Sequence, residues 1–541
     1  MNSTGIIRSS LFVVAVSIAF SSVAQATPYA SGVSEGGGNV SFVLNEDADA
    51  VTIKRSGDTD LVLGALTKGS HSFALPAGAY DIEVSKSTAA AWIQTSTDTD
   101  TGSQYFSPRG VAINRNASSS NFGNIYVAEG AGGLAQGTRD TLDGIFAMAA
   151  DQSDTIVSGG QGDDGFIGGM DTTSSNSPFK ITVAPDDTVY ISDWSDATGG
   201  VWRAPADLDE SSNWPNVLAN DNRVASGLTD NHGSIPSIWV EGTGASTKLY
   251  TMDEDWPDAS GISAEGRGDI FRYDIGTTTN YTGAGVVQVD DDTPSPSGVI
   301  LNGLMDFVRD EDGTWWISQF RADDEKTIPA LSHWADGGTE PLWTSGKNSR
   351  EDGDADWDSD VDGADFLTWQ QNNGTIGTGT VWNGDANLDT NIDNADEVLW
   401  EGNFGNNIPG EVVLDGTYGI VDIHDGLNLL AVGARYGNGV YIVDISDSNA
   451  PELLATIPQS GTTNDVSFDA AGNVYIVNRS TETLRIWSPG GDSLATTSSA
   501  GTFTLTQPGP AVAAVVPEPT SLALGVLGLV GLACGRRRVR S

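Results

Sequence analysis

Acidic side chains recur on a fixed grid between residues 354 and 396. The first set reads Asp354-x-Asp356-x-Asp358-x-Asp360-x-Asp362-x-x-Asp365. The second reads Asp385-x-Asn387-x-Asp389-x-Asn391-x-Asp393-x-x-Asp396, every member 31 residues after its counterpart. Oxygens at positions 1, 3, 5, 7, 9 and 12 of a twelve-residue loop suit a hard cation such as Ca²⁺, which takes six to eight oxygen ligands. Position 7 contributes its backbone carbonyl, so Asp360 and Asn391 need not use their side chains. Calcium is the cofactor this pattern predicts. Without metal the carboxylates of each loop repel one another, so binding is expected to be coupled to folding. An extracellular module of this type works at a Kd of about 10⁻⁴ to 10⁻³ M.

The elements that must position these oxygens are also duplicated. Val361 and Ile392 stand at position 8, where an apolar side chain tucks one loop against the other. A short helix is expected after each loop, with Trp369 and Trp400 in register and Gly374 and Gly405 closing the helices. This duplicated loop-helix, over about Asp352 to Asn407, resembles a type I dockerin, which ends its loop with Asp where an EF-hand uses Glu. The resemblance implies calcium ligands at Asp354, Asp356, Asp358, Asp360 and Asp365 in one site, and at Asp385, Asn387, Asp389, Asn391 and Asp396 in the other. Two departures matter. Ser359 and Thr390 replace the usual glycine at position 6, which makes the tight turn less comfortable. Positions 10 and 11, where cohesin-binding dockerins carry specificity residues, are Gly363-Ala364 and Asn394-Ala395, so the resemblance speaks more for calcium than for a cohesin partner.

Catalytic patterns are sparse. Gly491-Asp492-Ser493-Leu494 spells a GDSL nucleophile block, yet no histidine follows it to complete a triad. The four histidines, His71, His232, His333 and His424, form no zinc-type pair, and the single cysteine, Cys534, offers no partner.

The chain has 541 residues, with 73 Asp+Glu against 26 Lys+Arg and a net charge of −47. A phosphate backbone would be repelled, so nucleic acid is excluded as a partner. Folded, mostly β structure is expected, because apolar residues alternate over long stretches. From residue 40 to 84 they do so as Val40, Phe42, Leu44; Val51, Ile53; Leu61, Leu63; Phe73, Leu75; and Tyr80, Ile82, Val84, with turn residues between. This predicts an N-terminal β-sandwich. The stretch Leu75-Pro76-Ala77-Gly78-x-Tyr80 looks like that of bacterial immunoglobulin-like domains.

Beyond it, one strand type recurs six times, around Tyr126, Tyr190, Tyr250, Trp316, Leu430 and Tyr475, at steps of 64, 60, 66, 114 and 45 residues. Removing an insert of about 60 residues from the long step restores a regular series, as for one blade per repeat. The expected architecture is a six-bladed β-propeller interrupted by the small α calcium-binding domain; a seven-bladed ring or two stacked sheets are the alternatives. The pattern resembles NHL-repeat and gluconolactonase-like propellers. If the strands share one direction, Glu129, Asp193, Asp253, Gln319 and Asn478 gather near one mouth of the channel. There the resemblance implies a divalent ion polarising a lactone carbonyl.

Both ends read as addresses. Arg8, the apolar run Leu11 to Phe20 and Ala24-Gln25-Ala26 have the order of a secretory signal peptide, with cleavage before Thr27. Val516-Pro517-Glu518-Pro519, an apolar run to Cys534 and the Arg536-Arg537-Arg538 cluster resemble a PEP-CTERM sorting tail. That resemblance implies export to the cell envelope, transient membrane contact through the tail and cleavage by an exosortase; a plain C-terminal anchor is the alternative. With no thiol outside the tail, disulfides cannot staple the exported body. The expected organisation is signal peptide 1–26, sandwich 27–104, propeller 105–346 and 411–508, insert 347–410 and tail 517–541.

Two functions fit these features. One is an exported calcium-binding surface protein whose propeller is a recognition platform and whose insert is an assembly module, with a cohesin-like or polysaccharide partner. The other is a metal-dependent hydrolase of lactones or polysaccharides on the same propeller. Trp194, Trp202, Trp239, Trp256, Trp315 and Trp316 would suit sugar stacking or blade cores equally.

Overall fold

The computed structural model describes residues 27–505 apart from 88–90, 154–163, 175, 196–198, 220–234, 253–268, 290–300, 302–303, 320–328, 346–352, 354, 356–360, 380–382, 388–389, 405–411, 413, 415–418, 435–438, 490–493 and 500. The described chain is mostly β, with two α-helices, Gly363–Asn372 and Asn394–Asn403.

Period-two patterning near the N-terminus produces two facing sheets. One is built from Ala30–Gly36, Asn39–Leu44 and Gly69–Ala74. The other contains Ala48–Arg55, Leu61–Leu66 and Tyr80–Lys86. Val40, Phe42, Leu44 and Phe73 from the first meet Val51, Ile53, Ile82 and Val84 from the second in one core. Leu75 lies outside the pattern and is exposed. Two strands from the far end of the chain, Leu494–Ser499 and Thr502–Leu505, complete the second sheet, the former pairing with Tyr80–Lys86.

Besides a two-stranded ribbon of Gly133–Ala135 and Arg139–Thr141, six further antiparallel sheets of three or four strands follow in chain order. Their second strands are Ile125–Glu129, Val189–Asp193, Lys248–Met252, Trp315–Gln319, Leu429–Gly433 and Val474–Asn478, at the six places the repeat predicts. These strands are continuous in apolar residues because each is covered on both faces. Tyr126 and Ala128 face the second sheet, while Ile125 and Val127 face the sixth. The same division runs through the molecule. Sheets one and two, two and three, three and four, four and five, and five and six each share a core, and the sixth shares one with the first. Trp315, Trp316 and Trp334 are fully buried in these cores and Trp202 nearly so, which assigns them to packing.

Two pairings cross the boundaries read from the sequence. Trp92–Gln94, upstream of residue 105, is the outer strand of the sixth sheet, with Trp487 opposite Gln94. Leu494–Leu505, upstream of residue 508, belongs to the N-terminal sheets. Both depend on partners some 400 residues away, which local alternation does not encode.

Candidate functional site

The insert between the fourth and fifth sheets is built from two matching halves. Asp362 and Asp393 cap the two helices, accepting from Ala364 N at 2.6 Å and Ala395 N at 2.8 Å. Each cap is reciprocated three residues on: Asp365 accepts from Asp362 N at 2.7 Å and Asp396 from Asp393 N at 2.8 Å. These are capping boxes, and they fix where each loop ends and each helix begins. The same two carboxylates reach back across their loops. Asp365 accepts from Ala355 N at 2.6 Å; Asp396 accepts from Ala386 N at 2.8 Å and Asn387 N at 3.1 Å. At the head of the second loop, Asp385 accepts from Thr390 N at 2.9 Å. Thr390 pays for that turn in conformation, with φ at +69°, where a β-branched residue is strained.

The halves lock by exchange. Trp369 donates its indole N–H to Asp393 O at 2.9 Å, and Trp400 donates to Asp362 O at 2.8 Å. Gly384 and Gly353, one residue before each loop, lie so close to the opposite tryptophan that a Cβ would sit 2.6 Å from Trp369 Cα and 2.9 Å from Trp400 Cα. Val361 and Ile392 are wholly buried, and Ile392 N donates to Thr375 O at 2.9 Å while Gly374 N donates to Ile392 O at 2.8 Å. Among the expected ligands, Asp365, Asp385 and Asp396 are buried at 1%, 2% and 1% exposure; Asn387 and Asn391 are described with them. Asp354, Asp356, Asp358, Asp360 and Asp389 lie outside the described residues. Among the described residues no group of three or more His, Cys, Asp or Glu side chains has metal-binding geometry.

A second polar constellation sits at the heads of the first strands of the six sheets. Asp306 in Leu304–Arg309 and Asp465 in Thr463–Phe468 each follow a register shift, and Gly110 in Pro108–Ile113 follows another. Such bulges re-aim the next side chain. Here they bring both carboxylates to Lys180, whose Nζ lies 2.6 Å from Asp306 Oδ2 and 2.6 Å from Asp465 Oδ1. Asp306 also accepts from Ser237 Oγ at 2.5 Å, Phe307 N at 3.0 Å and Val421 N at 3.0 Å. Asp465 accepts from Val466 N and Val111 N, both at 2.9 Å. Burial pushes both carboxyls up, Asp465 to about 7, against the pull of the ammonium. The two carboxylates raise Lys180 despite its burial. The carboxylates lace one inner strand to the next, Asp306 to the fifth sheet and Asp465 from the sixth to the first. Asp422 does the same by accepting from Phe468 N at 2.6 Å, and Arg115 ties Asp422 to Ile423 O and Phe468 O. Lys180 also lines a cavity of about 400 Å³ walled by Val111, Ile181, Trp239, Phe307, Val421 and Val466, one from each inner strand. Sequence reading missed this cluster. Its signal is a lone polar residue just before an apolar inner strand.

Of the expected channel-mouth group, Glu129, Gln319 and Asn478 each make a hydrogen bond to a neighbouring loop. Glu129 is fully buried and accepts from Ser107 N, and burial pushes its carboxyl up to about 8. Gln319 donates to Pro329 O at 2.8 Å and Asn478 to Ser460 O at 3.0 Å. Asp193 is buried at the end of its strand, and Asp253 lies outside the described residues. His71 meets Thr67 O at 2.7 Å, His333 stacks on Trp316 and His424 meets Ala470 O at 3.3 Å. His232 and residues 491–493 of the GDSL block are outside the described residues, and Leu494 opens a strand.

Among solved structures, a gluconolactonase from Xanthomonas campestris covers 71% of this chain and 86% of its own at 10% identity, with a TM-score of 0.35. The calcium structure of a Trichoderma reesei carbohydrate-active enzyme of family AA12 covers 75% and 97% at 12% identity, TM-score 0.36. An auxiliary nutrient binding protein from Bacteroides thetaiotaomicron covers 84% and 97% at 9% identity, TM-score 0.35. At that similarity none of their chemistry transfers to this chain. A search of curated proteins finds no relative. Among the described residues no helix is long and apolar enough to cross a membrane. Residues 515–538 match the PEP-CTERM protein-sorting motif, the signal an exosortase recognises, and the protein is accordingly exported and envelope-associated.

Proposed function

We propose that this is an exported calcium-binding protein of the cell envelope, in which a six-bladed propeller carries a dockerin-like calcium lobe between its fourth and fifth blades. The ring reading is supported by the six shared cores, the last of which joins the sixth sheet to the first. In this reading the sandwich comprises the N-terminal strands plus Leu494–Leu505, and the ring is closed by Trp92–Gln94.

The observation that carries the calcium assignment is the crossed pair of indole hydrogen bonds. It joins two acidic loops into one lobe, with Asp365, Asp385 and Asp396 buried inside. From Glu351 to Glu401 the chain has 14 acidic residues and no basic one. Concentrated, buried carboxylates of this kind call for a counter-charge. The donor set is entirely oxygen, which fits a hard divalent ion. Asp354, Asp356, Asp358, Asp360 and Asp365 would hold one ion, and Asp385, Asn387, Asp389, Asn391 and Asp396 the other. Bound calcium would supply positive charge that makes the compact lobe the favoured state.

The hydrolase reading needs Glu129, Asp193 and Asp253 in one coordination shell. Glu129 gives one oxygen to Ser107 N, and Asp253 lies outside the described residues.

Calorimetric titration of the chelator-treated protein with Ca²⁺ tests the proposal. Two sites in the 10⁻⁴ to 10⁻³ M range are expected, and Asp396→Asn should remove one of them. Absence of calcium heat from the intact protein would refute it.

A further inference from the structure

We propose that removal of the export signal creates the group which the junction between the N-terminal sheets and the sixth sheet is built to hold: the α-ammonium of Thr27, seated between Asn473 and Ser488.

Thr27 is wholly buried. Its nitrogen lies 2.5 Å from Ser488 Oγ and 3.2 Å from Asn473 Oδ1. Its carbonyl accepts from Asn473 Nδ2 at 3.2 Å and from Asn45 Nδ2 at 3.1 Å, and its hydroxyl lies 3.3 Å from Ser488 Oγ. One residue therefore clasps both bodies, Asn45 on the N-terminal sheets and Asn473 with Ser488 on the sixth. A peptide nitrogen has a single hydrogen to share between the two acceptors facing it. An ammonium has three and satisfies both.

The second observation is Asp469. It is fully buried and accepts from Asn473 Nδ2 at 2.7 Å, from Ala471 N and Asn473 N at 2.9 Å each, and from Tyr475 Oη at 3.3 Å. All four donors are uncharged, and among the described residues it makes no ion pair. Burial pushes its carboxyl up to about 6. A buried carboxylate is costly without a positive charge nearby. The amide of Asn473 touches both Thr27 and Asp469, so a cation on the Thr27 nitrogen would lie one residue from the acid.

The cleavage expected after Ala26 supplies that cation. Hydrolysis of the Ala26–Thr27 bond adds water across it, leaving a carboxylate on the released signal and an amine on Thr27. A free α-amine titrates near pH 7.7–8.0, so it is mostly protonated at neutral pH. Processing thus adds the charge that staples the two bodies together.

The test compares the full chain beginning at Thr27 with the same chain bearing one additional alanine before it. The Thr27 form is expected to melt several degrees higher. Its α-amine should react with an acylating reagent at least tenfold more slowly than that of the extended form, and Ser488→Ala should narrow both differences. N-terminal sequencing of exported protein should begin at Thr27. Equal melting with equal labelling, slow labelling in both forms, or a native N-terminus elsewhere would each overturn the proposal.

Discussion

Thr390→Gly is the sharpest test of the calcium proposal. Thr390 sits at position 6 of the second loop with φ at +69° and is exposed, so its side chain contributes strain and little packing. The left-handed conformation costs an L-residue about 1–2 kcal/mol. Glycine removes that cost but adds unfolded-chain entropy of roughly 0.5–1 kcal/mol. Neither backbone bond at the turn involves the side chain: Thr390 N donates to Asp385 Oδ2 at 2.9 Å and Thr390 O accepts from Gly379 N at 2.8 Å. The net gain is therefore roughly 0.5–1 kcal/mol in the ordered loop. Where ordering is coupled to metal, that gain becomes a calcium affinity about two- to fivefold tighter at one of two sites. Calorimetric titration of wild type and variant, with Asp396→Asn added to both as a control, reads it directly. An unchanged or weaker affinity would show that the second loop does not bind calcium in this conformation.

Other perturbations address the six sheets. Lys180→Met leaves Asp306 and Asp465 buried without their shared cation and should cost about 3–5 kcal/mol in chemical denaturation; adding Asp465→Asn should recover part of it. Glu129 has its folded pKa raised to about 8 by burial. Its contribution is therefore fully present below about pH 4.3, the unfolded value, and is lost as pH rises toward 8, because the folded state holds the proton longer. Denaturation midpoints should fall across that window and flatten in Glu129→Gln, and an unchanged slope would count against the buried acid. Deleting residues up to 104 removes Trp92–Gln94 from the sixth sheet, so such a chain should lose cooperative melting, whereas a start at Thr27 should retain it.

What the sequence made legible follows from how local each signal is. The six second strands are buried on both faces, so Leu429–Val432 or Ile125–Ala128 reads as strand from its own residues. The duplication of the insert was legible because each half is a contiguous segment, and its step of 31 residues marks Gly353 and Gly384 as readily as the capping aspartates Asp362 and Asp393. The Lys180 cluster was not, since it draws one residue each from strands 126 and 159 residues apart in the chain, and a single charged residue before an apolar run looks like an ordinary strand entrance. The outer strands failed for a related reason. Leu494–Ser499 is rich in hydroxyls and lacks alternating apolar residues, so its place beside Tyr80–Lys86 comes from the backbone ladder. The missed outer strands share a location: the last sheet, the N-terminal sheets and Thr27 are joined by contacts spanning nearly the whole chain. In the ring proposed above, closure waits until the final strands are made. A device that fastens the junction after export would therefore act at the step that local patterning leaves least determined.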